Sequence, residues 1–307
     1  MKASPAARAI GRAISEATGS PLTISSEESV AGGCIHRALK VSGGTRNSGG
    51  PAQGERHYFA KVNDADKRAM FEAEAQGLRA LRAAGALAVP EVIACGADVE
   101  RAWLVLEWLE LKALDAGSAA RLGVALAKQH RIAQARFGWE RDNFIGASAQ
   151  KNGWHDEWLA FWRDQRLVEQ LRLAARNRLP SRMIDRGERL ATDCGAFFTT
   201  YTPAKSLLHG DLWGGNAASG ADGTPIVFDP AVYVGDREAD IAMTELFGGF
   251  PADFLSAYRN AWPLDDGYRV RRDFYNAYHL LNHANLFAGD YVRQAERSIE
   301  RLLAEIR

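Results

Sequence analysis

Alternating apolar and polar positions dominate the first third of the chain. Cys34 to Val41, His57 to Val62 and Ala102 to Trp108 each read as strands. Between the first two, Ser42 to Glu55 (SGGTRNSGGPAQGE) is so rich in Gly, Ser, Asn and Pro that it predicts a long flexible hairpin loop. The period then becomes helical: Met70, Glu74, Leu78 and Leu81 recur on one face before Gly85 and Pro90 stop the helix. The predicted layout is strand, strand, helix, strand, strand, after a short surface helix within Met1 to Ser20. Beyond Trp108 the periodicity is mostly helical, as in Leu122, Leu126 and His130, and again in Trp158, Phe161, Trp162 and Gln165. Near the end, Val292, Ala295, Ile299, Leu302 and Ile306 form one apolar stripe among mixed charges, which predicts core packing. The change of texture sets an expected boundary: a β-rich unit over 1–108 and a helical unit over 109–307, together an α+β protein.

Composition narrows the function classes. The chain has 307 residues, 47% apolar and 25% charged, and its 38 Lys plus Arg balance its 38 Asp plus Glu. No global field points to nucleic acid or a membrane surface as partner. Met1 to Ser20 lacks the apolar region of a secretory signal, and no run approaches the ~18 apolar residues of a spanning helix. Cys34, Cys95 and Cys194 are too few and too scattered for a disulfide framework or a zinc site. A reducing, cytoplasmic setting is expected.

The chemistry concentrates in Leu207 to Asn216, LLHGDLWGGN, and in Ile226 to Pro230, IVFDP. Asp211 offers a base, Asn216 a hard-oxygen metal ligand, and Asp229 a second ligand at the end of an apolar strand. This is the order of a phosphoryl-transfer loop and its metal site. A bare strand end and turn is the plain alternative for the first peptide, and the second weakens it. Phosphoryl transfer also needs a lysine on the phosphates. Lys61 stands in the strand HYFAKVN, and Glu74 or Glu72 on the next helix could pair with it, Glu74 being preferred because it shares the Met70 and Leu78 face. Gly32 and Gly33 suit close backbone approach to phosphate, although a plain β-turn needs them equally. Cys34 beside them is either an inert thiol or, in an amide-rich loop, an oxidisable one. Glu107, Trp108 and Leu109 follow the apolar strand WLVL, where backbone groups would meet an adenine. Asp240 is expected to start a helix as its N-cap and to brace the Asp211 loop. His279 and His283 stand four apart but lack a third ligand, so a zinc site is not expected.

These motifs resemble the fructosamine kinase (ketosamine-3-kinase) family, within the aminoglycoside phosphotransferase branch of the protein-kinase-like fold. The matching pieces are AGGCI at Ala31 to Ile35, YFAKVN at Tyr58 to Asn63, MFEAEAQGL at Met70 to Leu78 and LEWL at Leu106 to Leu109. HGDLWGGN at His209 to Asn216, the long block Phe228 to Pro251, and LLNHANLF at Leu280 to Phe287 complete the order. The resemblance implies two lobes, a small antiparallel-sheet lobe and a larger helical lobe with a cleft between them. It implies ATP and Mg²⁺ as cofactors, and phosphorylation of the 3-hydroxyl of a ketosamine, free or on a glycated protein, in deglycation. By carry-over Asp211 is the base, Asn216 and Asp229 hold Mg²⁺, and Lys61 with Glu74 positions phosphate. Gly32, Gly33, Cys34 and Glu107 to Leu109 surround the nucleotide, and Trp213 and His283 belong to the sugar site. Three departures stand out: His36 in place of the family's usual Asn, Ala60 where the family has Val, and a longer loop after Val41.

Two other readings compete: another small-molecule kinase of the aminoglycoside or choline type, and a nucleotide-binding pseudokinase acting as an interaction protein. The second requires loss of a catalytic residue, and none is missing. Gly210 before Asp211, and Asp229-Pro230-Ala231 in place of Asp-Phe-Gly, argue against a phosphorylation-controlled protein kinase. The expected assembly is a monomer or a redox-linked dimer through Cys34.

Overall fold

The computed structural model describes residues 4–30, 35–45 and 53–306. The chain divides into two compact units, Met1–Ala83 with Val89–Leu111, and Ala84–Ala88 with Lys112–Arg307. No helix among the described residues is long and apolar enough to cross a membrane.

The first unit opens with α1 (Pro5–Thr18), capped by the Ser4 side chain on the Ala7 N–H and ended by Gly19 at φ +65. Its strands are β1 (Thr23–Ser29), β2 (Arg37–Thr45), β3 (Gln53–Asp64), β4 (Val92–Ala97) and β5 (Arg101–Glu107), with α2 (Arg68–Ala84) between β3 and β4. They form one antiparallel sheet in the order β1-β2-β3-β5-β4. Ile10 and Ile14 of α1 join Leu39, Val41, Ala60, Val62 and Val105 in one core, so the N-terminal helix covers a sheet face. Phe71, Leu78 and Leu81 are the large buried side chains of α2.

Two expectations need correction. The predicted loop Ser42 to Glu55 is strand at both ends, because the ladder continues through Ser42↔His57, Gly43↔Arg56 and Thr45↔Gln53. Gly43 is required there by crowding: an added Cβ would stand 2.7 Å from the Thr23 carbonyl oxygen of β1. β1 itself escaped prediction because TISSEES is a polar strand at the sheet edge with no apolar alternation.

In the second unit the elements continue as β6 (Leu111–Lys112), α3 (Ala116–His130), β7 (Asn143–Ile145), β8 (Ser148–Gln150), α4 (Trp158–Trp162), α5 (Val168–Arg176) and α6 (Ser181–Asp193). A π-helical turn, Arg163–Leu167, joins α4 to α5. Then follow β9 (Ser206–Leu208), β10 (Ala217–Gly220), β11 (Pro225–Val227), β12 (Tyr233–Gly235), α7 (Arg237–Leu246), α8 (Ala252–Ala261), α9 (Tyr268–Phe287) and α10 (Asp290–Glu305). Trp158, Trp162, Phe274 and Tyr275 centre the core, against which Ile299 and Leu302 of α10 are buried. β9 pairs with β12 and β10 with β11, which places the two loops that follow β9 and β11 side by side.

Candidate active site

The loop after β9 carries His209 to Asn216, and the turn after β11 carries Asp229. The two are stitched together: Ala231 N–H donates to the His209 carbonyl at 2.9 Å, and Phe228 N–H to the Asn216 carbonyl at 3.1 Å. His209 adds a third link. Its Nδ1 accepts the Asp211 N–H at 3.3 Å, which leaves Nε2 protonated to donate to the Phe228 carbonyl at 3.0 Å. Burial keeps this imidazole neutral by pushing its proton affinity down. Gly210 holds φ +82, and a Cβ there would collide with the Ala231 carbonyl oxygen, so the loop admits no other residue.

Asn216 donates from Nδ2 to the Asp211 carbonyl at 2.8 Å and reaches Asp211 Oδ2 at 3.3 Å. Its Oδ1 remains the oxygen donor of that side chain. Asp229 sits at φ +57, a left-handed conformation that a short acidic residue tolerates better than most. Burial and then the charge of Asp229 push the Asp211 carboxyl up to about 7, against the opposing hydrogen bond from Asn216. Two mutually repelling carboxylates beside an amide oxygen are a donor set that fits a hard divalent cation, which would relieve the repulsion.

Beneath the loop, Asp240 accepts from the His209 N–H at 2.7 Å, the Gly210 N–H at 2.8 Å and His130 Nε2 at 3.2 Å. Burial opposes its charged form, but the hydrogen bond and charge of His130, with His209 and the Gly210 N–H, outweigh it and hold the carboxyl below its ordinary value. Asp240 thus braces the loop, but it does not cap α7. Asp236 is the N-cap, accepting from the Glu238 N–H at 3.1 Å, while Asp240 lies inside the first turn.

In the first unit, Lys61 Nζ meets Glu74 Oε1 at 2.7 Å in a nearly buried ion pair, while Glu72 pairs with Arg68 at 2.6 Å. Position alone had separated the two glutamates only weakly. Glu107 donates its N–H to the Glu91 carbonyl at 3.0 Å and accepts the Glu91 N–H on its side chain at 2.8 Å. Trp108 donates Nε1 to Glu110 at 2.7 Å beneath the Lys40 ammonium, and Leu109 lies past the end of β5. Gly32, Gly33 and Cys34 lie outside the described residues. Cys95 and Cys194 are free thiols.

Trp213 is 40% exposed, and its indole folds over Gly215, where a Cβ would strike the ring. Gly214 is pressed by the chain at Gly248 and Gly249. The two glycines of this motif therefore serve close packing as well as the turn. His283 donates Nδ1–H to the His279 carbonyl at 2.9 Å, and burial depresses its proton affinity.

Several positioning residues carried no signal in the sequence. Asn143 donates to the Val232 carbonyl at 2.7 Å, and Gln150 donates to the Ala231 carbonyl at 3.2 Å and to Asn143 Oδ1 at 2.8 Å. Asn152 and the fully buried Arg166 extend this cluster through a 2.7 Å contact, and Tyr278 closes it on Gln150 at 2.7 Å. These buried amides grip the backbone two and three residues past Asp229. On the far side, Tyr258 links His130 (2.9 Å) to Arg237 (3.3 Å). Only the π-helical turn that presents Arg166 hints at such a role, because such turns gather at functional sites.

A five-stranded antiparallel sheet with its lysine–glutamate pair, and a helical unit with an Asp-Asn-Asp loop pair, define a protein-kinase-like phosphotransferase. Choline kinase LicA from Streptococcus pneumoniae shares this fold at a TM-score of 0.56 and 16% identity, covering 98% of this chain and 100% of that one. The family model described as Fructosamine kinase matches residues 6–305. A probable ketoamine kinase of Synechocystis sp. is 41% identical over 299 residues, 96% of each chain, and one of Vibrio cholerae is 40% identical over 305, covering 96% of this chain and 99% of that one. A solved structure assigned as a fructosamine-3-kinase from Haemophilus somnus 129PT matches at a TM-score of 0.83 and 27% identity, over 96% of each chain. The chain belongs to the fructosamine kinase family and is a kinase.

Proposed function

We propose that the protein transfers the γ-phosphoryl group of ATP to the 3-hydroxyl of a ketosamine, as a deglycation step. Residues 1–108 act as the nucleotide-binding lobe and 109–307 as the catalytic and substrate lobe. The sugar oxygen attacks the γ-phosphorus, the bond to the β-γ bridging oxygen breaks, and the hydroxyl proton passes to Asp211. The observation that carries this reading is the geometry of two loops hydrogen-bonded to each other, which sets the Asp211 carboxylate 3.3 Å from Asn216 Nδ2 and beside Asp229, where it can accept a proton. The names of the relatives supply the substrate class.

Asn216 Oδ1 and Asp229 are the residues that would hold Mg²⁺, which when bound neutralises charge on the β and γ phosphates. Lys61, held by Glu74, directs its ammonium to the α and β phosphates. His209 and Asp240 keep Asp211 at a fixed height above the loop, so that it need not reorganise as the proton arrives. Trp213 offers its indole face to the apolar side of the sugar ring. Use of ATP as cosubstrate supports a cytoplasmic setting.

The test is ADP release coupled to NADH oxidation, with Mg²⁺ATP and fructoselysine or ribuloselysine set against aminoglycosides, choline and homoserine. Turnover on either ketosamine supports the reading. Turnover confined to the second group would overturn it in favour of another small-molecule kinase.

A further inference from the structure

One surface of the helical unit gathers aromatic rings that phosphoryl transfer does not use. Phe247 follows α7, Phe287 ends α9 and Tyr291 opens α10, yet all three converge on His283, with ring centroids at 4.7, 5.6 and 5.0 Å. Phe287 and Tyr291 also meet each other at 6.1 Å. Packing alone does not account for the cluster, because Phe247 is 36% and Phe287 57% exposed. Exposed aromatic faces gathered in one place mark a binding surface more often than chance.

The cluster is tied to the reacting loop. Gly248 and Gly249, directly after Phe247, press on Gly214 so closely that a Cβ on Gly214 would lie 2.9 Å from both Gly248 O and Gly249 Cα. Trp213, the neighbour of Gly214, is exposed too. Phe247 and Trp213 therefore sit on two chain segments that touch, two residues from Asp211.

The chemistry of the cluster suits a cation. Among the described residues, no Lys or Arg lies over the faces of Phe247, Phe287 or Tyr291, so those faces carry no internal cation. His283 commits its Nδ1–H to the His279 carbonyl, which can only accept, and its neutral ring then presents Nε2 as an acceptor. An anion would find only the Tyr291 hydroxyl as a side-chain donor in this set, and no positive charge. Resting on the ketosamine reading above, we propose that Phe247, Phe287, Tyr291 and His283 form the subsite for the amine side of the substrate, a cationic, N-alkylated lysine side chain. The rings take its methylenes and its secondary ammonium by cation–π attraction, and His283 Nε2 accepts one ammonium N–H.

Two experiments test this separately from the kinase reading. In the first, Nα-acetyl-Nε-methyllysine methylamide is titrated into the whole protein while the His283 ring is followed by ¹H–¹⁵N NMR. A saturable shift, absent with the uncharged norleucine analogue and lost in Phe287→Ala and Phe247→Ala, supports the subsite. No shift in the wild type, or an equal one with norleucine, overturns it. In the second, kcat/KM for fructoselysine is compared with that for 1-deoxyfructose, which lacks the amine. Phe287→Ala should shrink the preference for fructoselysine by about 5- to 10-fold, mainly through KM, and Phe287→Tyr should retain it. An unchanged preference would refute the proposal. If the wild type phosphorylates no ketosamine, the kinase reading fails while the NMR titration still decides the subsite.

Discussion

Replacing Asp240 by Asn asks how much the Asp211 loop depends on one buried carboxylate. In the wild type its two oxygens accept from the His209 N–H at 2.7 Å, the Gly210 N–H at 2.8 Å and His130 Nε2 at 3.2 Å. Asparagine keeps one acceptor oxygen and turns an amide N–H₂ toward donors that can no longer be satisfied. At least one buried N–H is orphaned and a charge-assisted bond is lost, each worth roughly 1–3 kcal/mol, so the total loss should be about 2–6 kcal/mol. At roughly 2–4 °C per kcal/mol, Tm falls by about 4–24 °C. The loss should also depend on pH. The folded Asp240 titrates below its unfolded value near 4, so its stabilisation is complete above about pH 4 and vanishes as pH falls through the folded value. Wild type and variant therefore converge in acid. Thermal unfolding followed by circular dichroism from pH 3 to 8, with kcat on the same samples, measures both effects. A variant with wild-type Tm and kcat at pH 7 would refute the brace.

Other changes report on the site itself. Asp211→Asn should leave ATP binding, measured by calorimetry, largely intact while lowering kcat by about 10²–10⁴-fold, because positioning survives and proton acceptance does not. For the wild type without divalent cation, NMR titration of Asp211 should give a midpoint near 7, and Asp229→Asn should move it down by removing the repelling charge. An unmoved midpoint would mean that burial alone raises it. Trp213→Ala should raise the ketosamine KM far more than the ATP KM in initial-rate assays, and equal effects on both would remove Trp213 from the sugar site. Gly210→Ala should lower Tm and expression together, since φ +82 and the Ala231 carbonyl both exclude a side chain.

Much of this protein is written locally. The helical period of Leu122, Leu126 and His130 appears as one buried stripe of α3, and the apolar stripe near the C-terminus packs Ile299 and Leu302 into the core. HGDLWGGN and IVFDP are legible because each is a short peptide whose proposed roles depend on close spacing along the chain. Periodicity could not find β1, whose edge position allows polar residues, nor tell a hairpin loop from a ladder in Ser42 to Glu55. The helical face favours Glu74 over Glu72 by a small margin, and the Lys61 ion pair agrees with that choice. Likewise, only the fold shows that Asp236 caps α7 while Asp240 reaches the loop, that Asn143 and Gln150 grip the backbone past Asp229, and that Phe247 and Phe287 meet at His283. A motif records what neighbouring residues owe to each other along a few bonds. Asp240 and His209, or Gln150 and Tyr278, are joined only across packed elements, where distance along the chain says nothing about which buried donor will find which acceptor.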